Sequence, residues 1–256
     1  MTLDKMTINE LSSYLSGRED LSSHEVAILE ADQRRGVTAL LRRFQRRREE
    51  LLKESVRLEK MLLEEKILWK QGYKAIAGVD EAGRGPLAGP VTAAAVILPP
   101  GRVIEKLNDS KQLSSAMREK LFEQIILDAD AYGIGSASRE EIDSLNIHKA
   151  SLLAMQRALE KLRIPPDYIL IDGFPLANCN VRQKAIRGGD ALSLSIAAAS
   201  VLAKVSRDKI MSDLHQRFPH YGFDRNMGYG TLEHRQAIIK HGPCPEHRSS
   251  FNLIFS

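Results

Sequence analysis

The residues with the clearest capacity for chemistry are acids that follow short apolar runs. Ala75-Ile76-Ala77-Gly78-Val79 has the length and character of a buried strand, and Asp80 and Glu81 follow it directly. Tyr168-Ile169-Leu170-Ile171 reads the same way and ends in Asp172, followed by Gly173. Asp190 comes after Gly188-Gly189, behind a weaker strand signal at residues 183–187. Carboxylates gathered at strand ends repel one another and are costly to bury unless cations hold them. With no Cys or His close to them, these acids suit hard cations, Mg²⁺ or Mn²⁺, better than zinc. Gly83-Arg84-Gly85 follows the first acid pair. Its glycines admit another molecule close to the backbone, and a guanidinium matches a phosphate. Two hard metals beside an anion-binding loop are suited to in-line attack of water on a phosphodiester. One ion activates the water and the other stabilises the leaving oxygen, ~3.5–4 Å away. On spacing alone, a strand capped by a surface turn with two solvated acids accounts for residues 76–91 equally well. Asp190 alone reads as a helix cap. The recurrence of acids after buried strands favours the metal reading. Neighbouring strand residues point to opposite faces, so Asp80 and Glu81 share a site only if the chain is already turning at Glu81.

Strands must present these acids, and the chain supplies them after a helical beginning. Residues 1–71 read as a helical extension, and residues 72–256 as the domain that carries the acids. Ser22 with Glu25 forms a capping box before Val26, Ile28 and Leu29, and Gly36 is expected to break that helix. Residues 38–69 hold no Gly or Pro, enough for a helix of roughly 48 Å. Its sevenfold spacing fails at Arg48, Ser55 and Glu65, so a long coiled coil is not expected. Arg42, Arg43, Arg46, Arg47 and Arg48 form a basic cluster that either tracks phosphates or lies on a solvated face balanced by Glu49, Glu50 and Glu54.

Strands are expected over residues 74–80, 90–98, 131–138, 168–171 and 183–187. Helices are expected after Ser114 or Ser115, after Ser138, after Asn146, and from Ser193 or Ser195 onward. The first three strands read as an antiparallel meander with short links. A helical crossover then leads to a parallel strand. The expected fold is α/β, a mixed sheet with helices on its faces.

Composition narrows the partners. Of 256 residues 43% are hydrophobic, with no apolar run of transmembrane length and no signal-peptide pattern at the N-terminus, so a cytoplasmic protein without a membrane partner is expected. The net charge of +4 permits a nucleic-acid partner without demanding one, and 5% aromatic content speaks against a base-stacking single-strand binder. Cys179 and Cys244 match no zinc spacing. Residues 211–256 hold His215, His220, His234, His241 and His247. Their irregular spacing and the intervening prolines mark them as surface histidines rather than a second metal site.

Across residues 73–236 the motifs GVDEAGRGPLAGPV, LNDSKQLS, YILIDG, GGD before SIAAASVLAKVSRD, and HYGF with GYGT resemble those of ribonuclease HII, in that family's order. The resemblance implies an RNase H-like mixed five-stranded sheet flanked by helices. Here it would carry a helical N-terminal extension and a helical C-terminal segment. It implies an endoribonuclease that cleaves RNA in RNA–DNA hybrids. It also implies a cut 5′ of ribonucleotides embedded in duplex DNA, leaving 3′-hydroxyl and 5′-phosphate ends. Carried over by motif, Asp80, Glu81, Asp172 and Asp190 would be catalytic and would bind two Mg²⁺ or Mn²⁺ ions. Gly83, Arg84 and Gly85 would read the 2′-hydroxyl and a neighbouring phosphate. Lys111 would lie near the substrate backbone, and Tyr229 would sense the RNA-to-DNA junction. Arg84 argues against the sister type, ribonuclease HIII. A monomer is expected, with a replication or repair protein as a further partner. A related polynucleotidyl transferase and a non-catalytic hybrid-binding protein are the rival readings, and the intact acid set speaks against the second.

Overall fold

The computed structural model describes residues 2–177 and 179–254, and the chain divides into two compact units, Met1–Glu59 and Lys60–Ser256. The first unit is helical. Helix α1 (Ile8–Ser16) and helix α2 (Ser23–Ala31) each start in a capping box, Thr7 with Glu10 and Ser22 with Glu25. Helix α3 follows (Arg35–Met61). Leu11, Leu15, Leu29, Val37, Leu41 and Phe44 form this unit's core.

Two expectations are corrected here. The chain leaves α2 at Asp32, whose carboxylate accepts from the Arg34 backbone N–H and side chain, and Gly36 lies inside the first turn of α3. A Cβ on Gly36 would stand 2.5 Å from Ile8 Cδ1, so packing explains that glycine. The long helix is also divided, with α3 ending at Met61 and α4 spanning Leu63–Lys70. The arginine cluster is partly internal. Arg47 donates to the carbonyls of Leu15, Ser16 and Arg18 at the end of α1, Arg46 pairs with Glu50, and Arg48 with Asp20.

The second unit is built on a five-stranded sheet of order β3-β2-β1-β4-β5. Its strands are β1 (Ile76–Ala82), β2 (Val91–Ile97), β3 (Ala131–Ala137), β4 (Tyr168–Asp172) and β5 (Arg182–Ile186). The pairs β1–β2 and β2–β3 are antiparallel, and β1–β4 and β4–β5 are parallel, which gives the expected mixed sheet. The β2–β3 link is not short, because it carries α5 (Ser115–Asp128). Helices α6 (Arg139–Leu145) and α7 (Ile147–Glu160) follow β3. Ala150, Ala154, Met155 and Ala158 of α7 pack on Val79, Ala93, Ala95, Ile169 and Ile171. Helix α8 (Leu194–Arg217) lies on the other side of β1 and β2, and its first ten residues are all buried. The approach is close at Gly78, where a Cβ would stand 2.0 Å from the backbone of Ser195. Short helices α9 (Phe223–Asn226) and α10 (Leu232–His241) end the chain's regular structure.

The division at Glu59/Lys60 falls ahead of the expected boundary at residue 71, and α4 lies between the two. Leu68 and Trp69 of α4 pack with Ile76, Leu170 and Ile196, which makes this helix part of the sheet-bearing unit.

Candidate active site

Asp80 lies in β1 opposite Ala94, on the α8 side of the sheet with Gly78. The turn expected at Glu81 is absent, since pairing to β2 runs through Ala82↔Thr92. The two acids share a neighbour for another reason. Pairing of β1 with β4 stops at Val79↔Ile171, Asp172 ends β4, and its charge acts on both Asp80 and Glu81. Asp172 Oδ1 accepts from Gly189 N–H at 2.7 Å, which draws the Gly188-Gly189-Asp190 turn to the end of β4. Asp190 itself is buried, and Lys111 Nζ stands 3.8 Å from its carboxylate.

The electrostatics fit one cluster. Burial first, then the charges of Glu81 and Asp172, hold the Asp80 carboxyl well above the usual range, while a hydrogen bond from Ser200 works against them. Burial also lifts Glu81, against the pull of Arg84, with Asp172 adding to the lift. Asp190 is raised by burial, then by Asp109 and Asp172. For Lys111, burial favours loss of the proton, but Asp190, Asp109, Asp80 and Asp172 together push its affinity up.

Asp109 is thus a fifth acid at the site, one that sequence reasoning passed over although it stands in the same LNDSKQLS stretch as Lys111. Ser110 Oγ is 2.9 Å from Ser200 Oγ, so Ser200 joins the Lys111 loop to Asp80.

Among the described residues no group of three or more acidic, His or Cys side chains already forms a metal-coordinating shell. The carboxylates are engaged elsewhere: Glu81 with Arg84 at 3.2 Å, Asp172 with Gly189 and Asp190 with Lys111. The donor set nonetheless fits hard divalent cations. It is all carboxylate, it is buried beyond what mutual repulsion favours, and Glu81 Oε2 is buried with no hydrogen-bond partner.

The glycine loop is held from beneath by two buried arginines. Arg207 donates to the carbonyls of Pro90, Met227 and Ala88 at 3.0–3.1 Å. Arg248 donates to those of Gly83, Arg84 and Gly89 at 2.6–3.0 Å. Buried charge is tolerated only when so bonded, and each such hydrogen bond is worth about 1.5–3 kcal/mol. Burial pulls Arg207 down to about 10. Burial and then the charge of Arg207 pull Arg248 down to about 9, so both stay cationic at neutral pH. Gly83 has φ +99°, and a Cβ there would stand 2.0 Å from Arg207 Nε. A Cβ on Gly85 would stand 3.7 Å from the ring of Tyr229, so the structure brings the loop and this exposed tyrosine together. Neither arginine was singled out from sequence, although Arg207 lies in the SVLAKVSRD stretch.

The histidine expectation fails at two positions. His234 and His247 are buried, and their Nε2 atoms are 3.0 Å apart. For His234 a sequence signal was available, since it follows the GYGT motif closely; for His247 there was none.

The family model for Ribonuclease HII matches residues 77–254, and that for the Ribonuclease HII N-terminal domain matches residues 7–69. The chain belongs to the ribonuclease HII family. It is therefore a ribonuclease H, a nuclease of the hydrolase class. A Ribonuclease HII of Desulfitobacterium hafniense is 49% identical over 249 residues, covering 97% of this chain and 95% of the relative. One from Acetivibrio thermocellus is 44% identical over 254 residues, covering 99% of each. Among solved structures, ribonuclease H2 from Pyrococcus horikoshii OT3 superposes with a TM-score of 0.60 at 28% identity, covering 70% of this chain and 94% of that one. The family match covers both units, so the helical N-terminal part is shared with relatives that align over their whole length.

Proposed function

We propose that this enzyme hydrolyses the RNA strand of RNA–DNA hybrids and cuts on the 5′ side of ribonucleotides embedded in duplex DNA, leaving 3′-hydroxyl and 5′-phosphate ends. The observation that carries the reading is the meeting of the acid cluster with the Arg84 loop and Tyr229 on one unit.

Asp80, Glu81, Asp172 and Asp190 would hold two Mg²⁺ or Mn²⁺ ions. Bound there, such ions supply an activated water and stabilise the leaving oxygen. The chain's own groups do the rest. Arg84, now on Glu81, is half-exposed and can turn its planar fork to a phosphate. Lys111 can follow the same negative charge, since its side chain is largely exposed and only loosely paired.

Only the 2′-hydroxyl separates RNA from DNA at one sugar, and it both donates and accepts. Backbone groups of Gly83 and Gly85 can approach it. The Gly83 carbonyl is fixed by Arg248, which keeps the reading surface from drifting. Tyr229, beside Gly85, would rest on the following deoxyribose, where a second 2′-hydroxyl would clash.

The test compares a long RNA–DNA hybrid with a duplex bearing one ribonucleotide, in Mg²⁺, Mn²⁺ or chelator. Arg84→Ala should weaken cleavage of both substrates. Tyr229→Ala should hit the lone ribonucleotide harder, because the hybrid has 2′-hydroxyls on both sides of each cut. Full activity in chelator refutes the metal reading. An unchanged substrate ratio in Tyr229→Ala refutes the junction reading.

A further inference from the structure

Tyr229 projects toward solvent, yet its backbone is tied to the interior. Its carbonyl accepts from Thr231 N–H at 2.8 Å and also lies 2.8 Å from His234 Nδ1. His234 Nε2 is 3.0 Å from His247 Nε2, and Cys244 N–H donates to His247 Nδ1 at 2.9 Å.

The two ends of this chain are chemically fixed, and they settle every proton between them. An amide N–H only donates, so His247 Nδ1 is bare and that ring's proton sits on Nε2. The His247 Nε2–H therefore donates to His234 Nε2, which must also be bare. The proton of His234 is left on Nδ1, where it donates to the Tyr229 carbonyl, a group that only accepts. His247 Nδ1 also lies 3.3 Å from the Cys244 carbonyl, but the shorter contact to a fixed donor decides.

We propose that His234 and His247 are positioning residues for Tyr229: a relay of two neutral imidazoles, each locked in one tautomer, that sets where the tyrosine stands beside the glycine loop. This rests on the reading of Tyr229 as the group that meets the sugar following the ribonucleotide.

The surroundings favour the neutral rings. Tyr221 stands edge-on to His247 at 4.8 Å, and Phe223 edge-on to His234 at 5.4 Å. Facing charges and titratable groups are Arg235 on α10, the Cys244 thiol and the Tyr221 hydroxyl, which donates to the Gly242 carbonyl. Burial, then hydrogen bonding to Tyr229 in the opposite sense and Arg235, leave His234 below its ordinary value. Burial and the neighbouring ring bring His247 to about 4. A proton added to the bare nitrogen of His234 would face the His247 N–H, and one added to His247 would face the Cys244 N–H. Either opens the relay.

The experiment has a spectroscopic arm and a kinetic arm, both on the full chain. Long-range ¹H–¹⁵N correlation at neutral pH should show His234 protonated on Nδ1 and His247 on Nε2. Reversed tautomers, or an imidazolium at either site, overturn the proposal. In the kinetic arm, His234→Phe keeps an aromatic body among Tyr221 and Phe223 but has no donor. His234→Asn places an amide N–H near the Nδ1 position. His234→Phe should shift the ratio of single-ribonucleotide to hybrid cleavage about five- to tenfold, the worth of one neutral hydrogen bond, in the direction of Tyr229→Ala. His234→Asn should restore most of it. A ratio that moves in Tyr229→Ala but not in His234→Phe overturns the proposal. If Tyr229→Ala itself leaves the ratio unchanged, the junction reading has failed. The relay is then judged by the Tyr229 resonances, which must move in His234→Phe and overturn the proposal if they do not.

Discussion

Glu65 provides the sharpest quantitative test of how the site is built. It lies on α4, is 3% exposed, and its Oε1 accepts from Ser193 Oγ at 2.7 Å, Ser195 Oγ at 2.6 Å and Ser195 N–H at 3.0 Å. Ser195 N–H is in the first turn of α8, where no intrahelical acceptor exists. Glu65→Ala leaves it buried and unpaired, at about 1–3 kcal/mol. The hydroxyls of Ser193 and Ser195 are 3.1 Å apart and can satisfy each other. Loss of a carboxylate from a partly buried helix N-terminus costs up to ~2 kcal/mol more. Glu65 Oε2 is buried without a partner, and its removal offsets ~1 kcal/mol. The balance is a loss of about 3 kcal/mol, or ~6–12 °C in melting temperature. Ser193 N–H also donates to the Gly189 carbonyl at 2.8 Å, so the start of α8 and the turn carrying Asp190 move together and cleavage should fall with stability. Urea unfolding of Glu65→Ala and Glu65→Gln is the assay, the glutamine keeping one acceptor oxygen. A Glu65→Ala protein within ~0.5 kcal/mol of the parent, the scatter of a neutral surface change, would show that Glu65 does not hold the start of α8, as would glutamine doing as much damage as alanine. A truncation after residue 71 removes this acceptor, whereas one at Glu59/Lys60 keeps it.

Three further outcomes are expected. Asp80→Asn should lose cleavage, keep duplex binding, and melt higher than the parent in chelator, because a neutral amide relieves the buried charge and its repulsion with Glu81 and Asp172; a lower melting point counts against that electrostatic account. Gly83→Ala should destabilise the protein, since φ +99° alone costs about 1–2 kcal/mol and the Cβ would displace Arg207, while Gly85→Ala should unfold like the parent and lose only cleavage efficiency; unfolding curves and initial rates separate the two. The third concerns acid. His247 sits at about 4 against an ordinary 6.5, so between those values the unfolded chain binds the extra proton. Stability then rises with pH through that window, is complete above it, and is lost as pH falls toward 4. His247→Gln should flatten this part of the stability–pH curve, by a difference on the order of 3 kcal/mol.

What was legible in the sequence was local. Ser22, Ser138 and Asn146 cap their helices through side chains one turn away, and Asp80 and Asp172 each follow a short apolar strand run. The acids could be named because their type and repetition are visible without a fold. Arg207 and Arg248 could not, because they work through carbonyls far along the chain, those of Pro90 and Ala88 for Arg207 and of Gly83, Arg84 and Gly89 for Arg248, and nothing in their local sequence separates them from solvated arginines. Glu65 looked like a break in a heptad pattern and is instead an acceptor for the first turn of a helix that starts at Leu194 and is capped by Ser193. His234 and His247 were assigned to the surface because their spacing is irregular. A pair that meets through Nε2 atoms from two segments needs no regular spacing. Gly36 was read as a breaker because glycine weakens helices, whereas contact with Ile8 decides its place.

The proposed cut beside a ribonucleotide depends on the carboxylate cluster acting with divalent cations. The most direct measurement is cleavage of a DNA duplex carrying one ribonucleotide, mapped at single-base resolution with and without Mg²⁺, with the product ends identified. The expected result is one cut on the 5′ side of the ribonucleotide, a 3′-hydroxyl on one product and a 5′-phosphate on the other, and no cut in chelator or in Asp80→Asn. A cut on the 3′ side, a 3′-phosphate product, or undiminished cleavage without a divalent cation would contradict it.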